Sequence, residues 1–179
     1  MNIAHYWQLM RLDSSGRCYH QTLPSVEAWV KGTFADVISN LDSVDQPLQA
    51  ALISLYQSEQ ADADKAQLSL RCYISHQIRI VCIQLANQFG ETYGFTAADL
   101  FPLVLNDDGR LSTTYRPLSL EILDTYELDK AQLNTWTARL VKNHGDLDRA
   151  LLERGLYRAS DWAILNDTNR EQVQRILRQ

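Results

Sequence analysis

Residues 68–89, LSLRCYISHQIRIVCIQLANQF, decide the fold. Leu68, Leu70, Tyr73, Ile74, Ile78, Val81, Cys82, Leu85, Ala86 and Phe89 fall on one wide stripe at helical spacing. A stripe of that width needs apolar neighbours on more than one side, which predicts a central helix over residues 61–89. Gly90 reads as its stop. Toward the N-terminus, Val26, Trp29, Val30, Phe34, Val37, Ile38 and Leu41 recur at three and four. Residues 26–41 therefore read as an amphipathic helix with Gly32 as its weak point. Pro47 opens another over residues 48–56, because proline is tolerated in a first helical turn. Only the first 22 residues break the pattern. Two aromatic and apolar runs, residues 6–12 and 18–20, flank Asp13-Ser14-Ser15-Gly16, which reads either as a hairpin turn or as a loop after a short helix.

Downstream, Thr96 reads as the N-cap of a helix over residues 97–105, in which Pro102 predicts a kink or a split. Asn106-Asp107-Asp108-Gly109 is a strong turn signal. Pro117 opens a helix through Leu118, Ile122 and Leu123. The next helix spans about residues 130–143, and more are expected at 146–154, 160–166 and 168–178. The fold class is all-α: a multi-helix bundle with a C-terminal helix-turn-helix and, on the hairpin reading, a short β-hairpin at the N-terminus. The chain divides into an acidic helical region over residues 1–60, a helical core over 61–145 and a helix-turn-helix-like module over 146–179.

The 179 residues are 45% hydrophobic and 22% charged, the balance of an ordinary globular protein with enough chain for a substantial core. No run approaches the length of a membrane span, and residues 1–10 lack the basic flank and apolar centre of a signal peptide. A cytoplasmic home with no membrane contact is the expectation. Three cysteines fit reduced thiols better than a disulfide framework. The net charge of −5 is unevenly spread. Residues 1–109 carry 6 Lys and Arg against 12 Asp and Glu, whereas residues 110–179 carry 11 against 10. The acidic part suits a protein partner, and any DNA contact belongs to the C-terminal part, with modest affinity of its own.

The C-terminal pattern carries the nucleic-acid reading. Residues 160–165 make a short helix, Asn166-Asp167-Thr168-Asn169 turns the chain, and residues 170–177 make a second helix. Ala163 is small where two such helices would cross, and Val173, Ile176 and Leu177 supply the apolar anchors. The second helix then presents Arg170, Gln172, Gln174, Arg175 and Arg178, side chains suited to phosphates and base edges. The turn lacks the usual glycine, with Asp167 in its place. Two amphipathic helices around an Asn/Asp turn also fit a purely structural role, and the pattern leaves open a natural chain that continues past Gln179.

Residues 118–142, LSLEILDTYELDKAQLNTWTARLVK, resemble the central helices of bacterial sigma factors, particularly the sigma-like proteins of cyanobacteria. Tyr126-Glu127-Leu128-Asp129-Lys130 stands at the family's turn, Leu133-Asn134-Thr135-Trp136 at the apolar-Thr-aromatic step, and Arg139 at the basic position. Upstream, Phe95-Thr96-Ala97-Ala98-Asp99-Leu100 is similar to the family's short Asp-Leu segment. The likeness covers about residues 68–178. It implies a bundle that docks on RNA polymerase through residues 118–126, with Glu121 and Asp124 outward, and that touches promoter DNA through Trp136, Arg139 and Lys142. An aromatic beside cations stacks on an unpaired base while the cations hold the backbone. The chain departs from promoter-melting members in having Trp136 as the sole aromatic on that helix and Asn143-His144-Gly145 ending it early. Strand separation is thus not among the firm implications. Trp136 equally suits a core position between helices, as does Trp162, and Arg139 and Lys142 suit any helix C-terminus.

Two other classes compete. Cys72 and His76 lie four apart on the long helix and Cys18 and His20 form a second pair, a donor set that zinc would accept if the pairs met. Cysteine is as often a small buried hydrophobe. Phosphate loops and nucleophile elbows are absent, so the reading is non-enzymatic, with no cofactor. The expected function is a sigma-like transcription factor whose partners are RNA polymerase and DNA. The alternative is a helical interaction module that binds another protein and has kept a sigma-like fold without promoter melting.

Overall fold

The computed structural model describes residues 2–39, 45–58, 61–112 and 114–156. Among them are eight helices and one two-stranded sheet. The N-terminal ambiguity resolves as the hairpin, preceded by a 3-10 turn at Ile3–Tyr6. Strands β1 (Gln8–Leu12) and β2 (Cys18–Thr22) run antiparallel, with Gln8 opposite Thr22 and Leu12 opposite Cys18. Asp13 closes the turn, accepting from the Ser15 and Arg17 backbone N–H groups at 2.8 and 3.0 Å. The hairpin rests on the central helix through β1, where Met10 is buried in the core and its N–H donates to the Ser75 hydroxyl at 3.0 Å.

That central helix, α4, spans Ala63–Tyr93 and is the axis of the molecule. Its residues 69–76 are buried without interruption, as the width of the apolar stripe requires. It runs through Gly90 and stops at Gly94, which takes the left-handed conformation at φ 67°. Gly90 has a different task. The chain folds back there, the Phe95 N–H donates to the Gly90 carbonyl at 3.1 Å, and a Cβ on Gly90 would lie 2.3 Å from the Phe95 carbonyl oxygen.

The other elements pack around α4. The expected helix over residues 26–41 is broken into α1 (Pro24–Thr33) and α2 (Ala35–Ser39), with Phe34 ending the first just past Gly32. Helix α3 (Asp45–Gln57) begins two residues before Pro47, which sits in the first turn where a missing N–H costs no hydrogen bond. Helix α5 (Ala97–Val104) runs on through Pro102. At its start, the Thr96 N–H and hydroxyl both donate to Asp99 Oδ2, at 2.7 and 2.8 Å. Helices α6 (Leu118–Asp124), α7 (Leu133–Lys142) and α8 (Gly145–Glu153) complete the described chain. One cluster of buried apolar residues extends from Tyr6 to Leu156, so the boundaries expected near residues 60 and 145 do not separate independent cores. The helices expected at 160–166 and 168–178 lie outside the described residues. No helix among the described residues is long and apolar enough to cross a membrane.

Candidate functional site

The α6–α7 pair carries the residues that the sequence singles out. Leu118, Ser119, Ile122 and Leu123 turn inward from α6, which leaves Glu121 exposed on the opposite face. Asp124 is not equally available. Its carboxylate accepts from the Tyr56 hydroxyl of α3 on one oxygen and from the Arg116 guanidinium on the other, tying the end of α6 to its neighbours. Both expected partner contacts are exposed, Glu121 openly and Asp124 with its carboxylate tied to Tyr56 and Arg116.

On α7 the pattern is sharply two-sided. Leu133, Trp136, Thr137 and Val141 face the core, and Asn134, Thr135, Arg139 and Lys142 face outward. Trp136 is only 6% exposed and meets Tyr126 edge-on, with ring centroids 6.2 Å apart. The Arg139 guanidinium covers it at 4.5 Å from the ring centre. A base cannot stack on a ring already enclosed by protein, so the structure corrects the expected base contact and gives Trp136 the core position. Arg139 and Lys142, three residues apart, form one exposed ridge. Arg170, Gln172, Gln174, Arg175 and Arg178 lie outside the described residues.

The suggested zinc pairs do not meet. Cys72 is fully buried, and burial pushes its thiol well above the usual range, the reverse of what a thiolate ligand needs. His76 instead stacks on His5 at 3.9 Å between ring centres, with its Nε2 2.8 Å from the Gln8 carbonyl oxygen. Cys18 is half-buried on β2 and His20 is exposed. Among the described residues no three His, Cys, Asp or Glu side chains converge to hold a metal ion.

Two arrangements escape the sequence reading. The first is a buried ion pair. Arg71 on α4 donates to both oxygens of Asp107, at 2.9 Å from Nε and 2.5 Å from Nη2, and also to the Arg110 carbonyl at 2.9 Å. Asp107 further accepts from the Gly109 N–H at 2.8 Å and from the Ser119 hydroxyl. The Asp107-Asp108 turn is therefore a clamp that fixes the loop after α5 and the start of α6 to the central helix. Its only sequence signal is an arginine inside an apolar stripe. The second is a cleft of about 420 Å³ between the N-terminal turn of α3 and the α6–α7 loop, reaching Tyr73 on α4. The loop closes on itself through the Tyr126 hydroxyl, which donates to the Ala131 carbonyl at 3.0 Å.

No protein-family model, curated protein or solved structure matches this chain. The α6–α7 region presents three features to solvent. These are an exposed acidic position on α6, a basic ridge on α7 and a cleft beside the loop that joins them.

Proposed function

We propose that this chain is a sigma-like transcription regulator that works by docking on RNA polymerase, with DNA contact secondary and dependent on that partner. The reading rests on the order of sigma-like segments over residues 68–178. It is supported above all by the two-sided α7, where Arg139 and Lys142 share an exposed ridge while Trp136 is turned inward. A ridge of two cations suits contact with a phosphate backbone. A helix whose one aromatic is enclosed has nothing to insert beside an unpaired base, so the proposed role does not include promoter melting. Glu121, exposed on α6, is the proposed polymerase contact.

The alternative, a protein-binding module that touches no DNA, is favoured by one observation. Asp124 is held by Tyr56 and Arg116, Trp136 is enclosed, and residues 1–109 carry 12 Asp and Glu against 6 Lys and Arg. RNA polymerase co-purification together with DNA binding across a salt series separates the two. Two backbone contacts predict a slope of log affinity against log salt of about −2 from the α7 ridge. That part should vanish in an Arg139→Ala/Lys142→Ala variant, whereas Arg170→Ala/Arg175→Ala tests the C-terminal segment. Polymerase binding without any DNA affinity would favour the alternative.

A further inference from the structure

We infer that strand β2 is a pairing edge for a second copy of this chain, with the two β2 strands antiparallel about a two-fold axis at His20. The inference stands apart from the transcription reading above. Hairpin register decides which backbone groups point outward. The Leu23 N–H donates to the Trp7 carbonyl at 2.8 Å, and the Asp13 N–H to the Arg17 carbonyl at 3.0 Å. With Gln8 opposite Thr22, these bonds bracket the ladder and set its alternation. Leu9 and Arg11 therefore bond across to Gln21 and Tyr19. The backbone groups of Gln8, Met10 and Leu12 point out from one edge, and those of Cys18, His20 and Thr22 from the other. The central helix caps the first edge, where the Met10 N–H donates to the Ser75 hydroxyl and the Gln8 carbonyl lies 2.8 Å from His76 Nε2. On the second edge, the outward groups of Cys18, His20 and Thr22 have no partner among the described residues. Residues 19–22 are exposed.

A second β2 is the strand that fits this edge. Exposed edges are usually blunted by a charge, a proline or a bulge, and Cys18–Thr22 (CYHQT) contains no Asp, Glu, Lys, Arg or Pro. Its outward residues are symmetric about the middle of the strand. An axis at His20 sets Cys18 of one copy opposite Thr22 of the other, and His20 opposite its counterpart. Each such pair exchanges two hydrogen bonds, so every outward group on both copies is satisfied. Any shifted register leaves some of them unused, and the neutral strand opposes no like charges. There is also room. The two hairpins join as one sheet in the order β1-β2-β2-β1, which puts the two β1 strands about 14 Å apart. Because α4 caps the outer edge of β1, the two central helices lie farther apart still, beyond the roughly 10 Å diameter of a helix.

Sedimentation velocity of the full chain, under reducing conditions and over a concentration series, tests this. The native chain should pass from monomer to dimer as concentration rises. His20→Pro removes only an outward N–H, so the hairpin keeps its cross-strand bonds while the dimer is lost. His20→Lys and His20→Glu each set like charges against each other at the axis, and each should weaken dimerisation about fivefold. Mixing those two variants should restore the dimer, a result that misfolding cannot mimic. A chain that stays monomeric throughout, or a dimer that His20→Pro leaves intact, would overturn the proposal. So would a mixture that dimerises no better than either variant alone.

Discussion

At the scale of single residues, the side chains that matter most are polar groups placed where an apolar reading left no room for them. Arg71 and Asp107 are 1% and 3% exposed, and each is satisfied by the other and by the surrounding loop. Removing one partner strands a buried charge, so Asp107→Ala should cost about 3–5 kcal/mol. The Arg71→Met/Asp107→Leu pair should cost less than Asp107→Ala; urea denaturation of the three proteins checks the order. His76 gives a second test. Burial and the neighbouring His5 lower its pKa from 6.5 to about 4. Above pH 6.5 it is neutral in the folded and unfolded chains alike. Between 6.5 and about 4 only the unfolded chain takes up the proton, so stability falls as pH falls through that window. Comparing urea midpoints at pH 7 and pH 5 should show a smaller loss in His76→Phe than in the native chain, even though the variant starts less stable for want of its contact with Gln8. Equal losses would remove His76 from the pH response.

At the scale of elements, periodicity read the helices well and punctuation read them less well. The stripe over residues 68–89 identifies the central helix because thirty-one residues in α4 carry one unbroken pattern. The helix ends at Gly94, not at Gly90. Gly90 and Gly94 look alike in sequence, but only Gly94 has positive φ, and Gly90 is required by the returning Phe95 backbone, a tertiary contact. Gly90→Ala should therefore destabilise by about 2 kcal/mol or more, beyond the ordinary small gain that alanine brings inside a helix; thermal unfolding reads this directly. The same limit explains the candidate site. Trp136 suits a core position and a ligand contact equally in sequence, and which it takes depends on the covering Arg139 and Tyr126, which no local pattern encodes. The cleft is assembled from three segments far apart in the chain and left no trace in any one of them.

At the scale of the whole molecule, one core of described residues runs from the hairpin to Leu156, and the acidic N-terminal part is built into the same body as helices α6 to α8. The basic ridge on α7 thus sits on a net negative protein, whose long-range field opposes DNA binding. On the proposed reading, that imbalance predicts weak DNA affinity for the chain alone. The most direct test is fluorescence anisotropy of promoter duplex with the full chain, with and without RNA polymerase, from low to physiological salt. The account predicts weak, steeply salt-dependent binding alone, and polymerase-dependent DNA retention that is reduced by Glu121→Lys and by Arg139→Ala/Lys142→Ala. A folded chain that neither associates with polymerase nor alters its retention on DNA would contradict it.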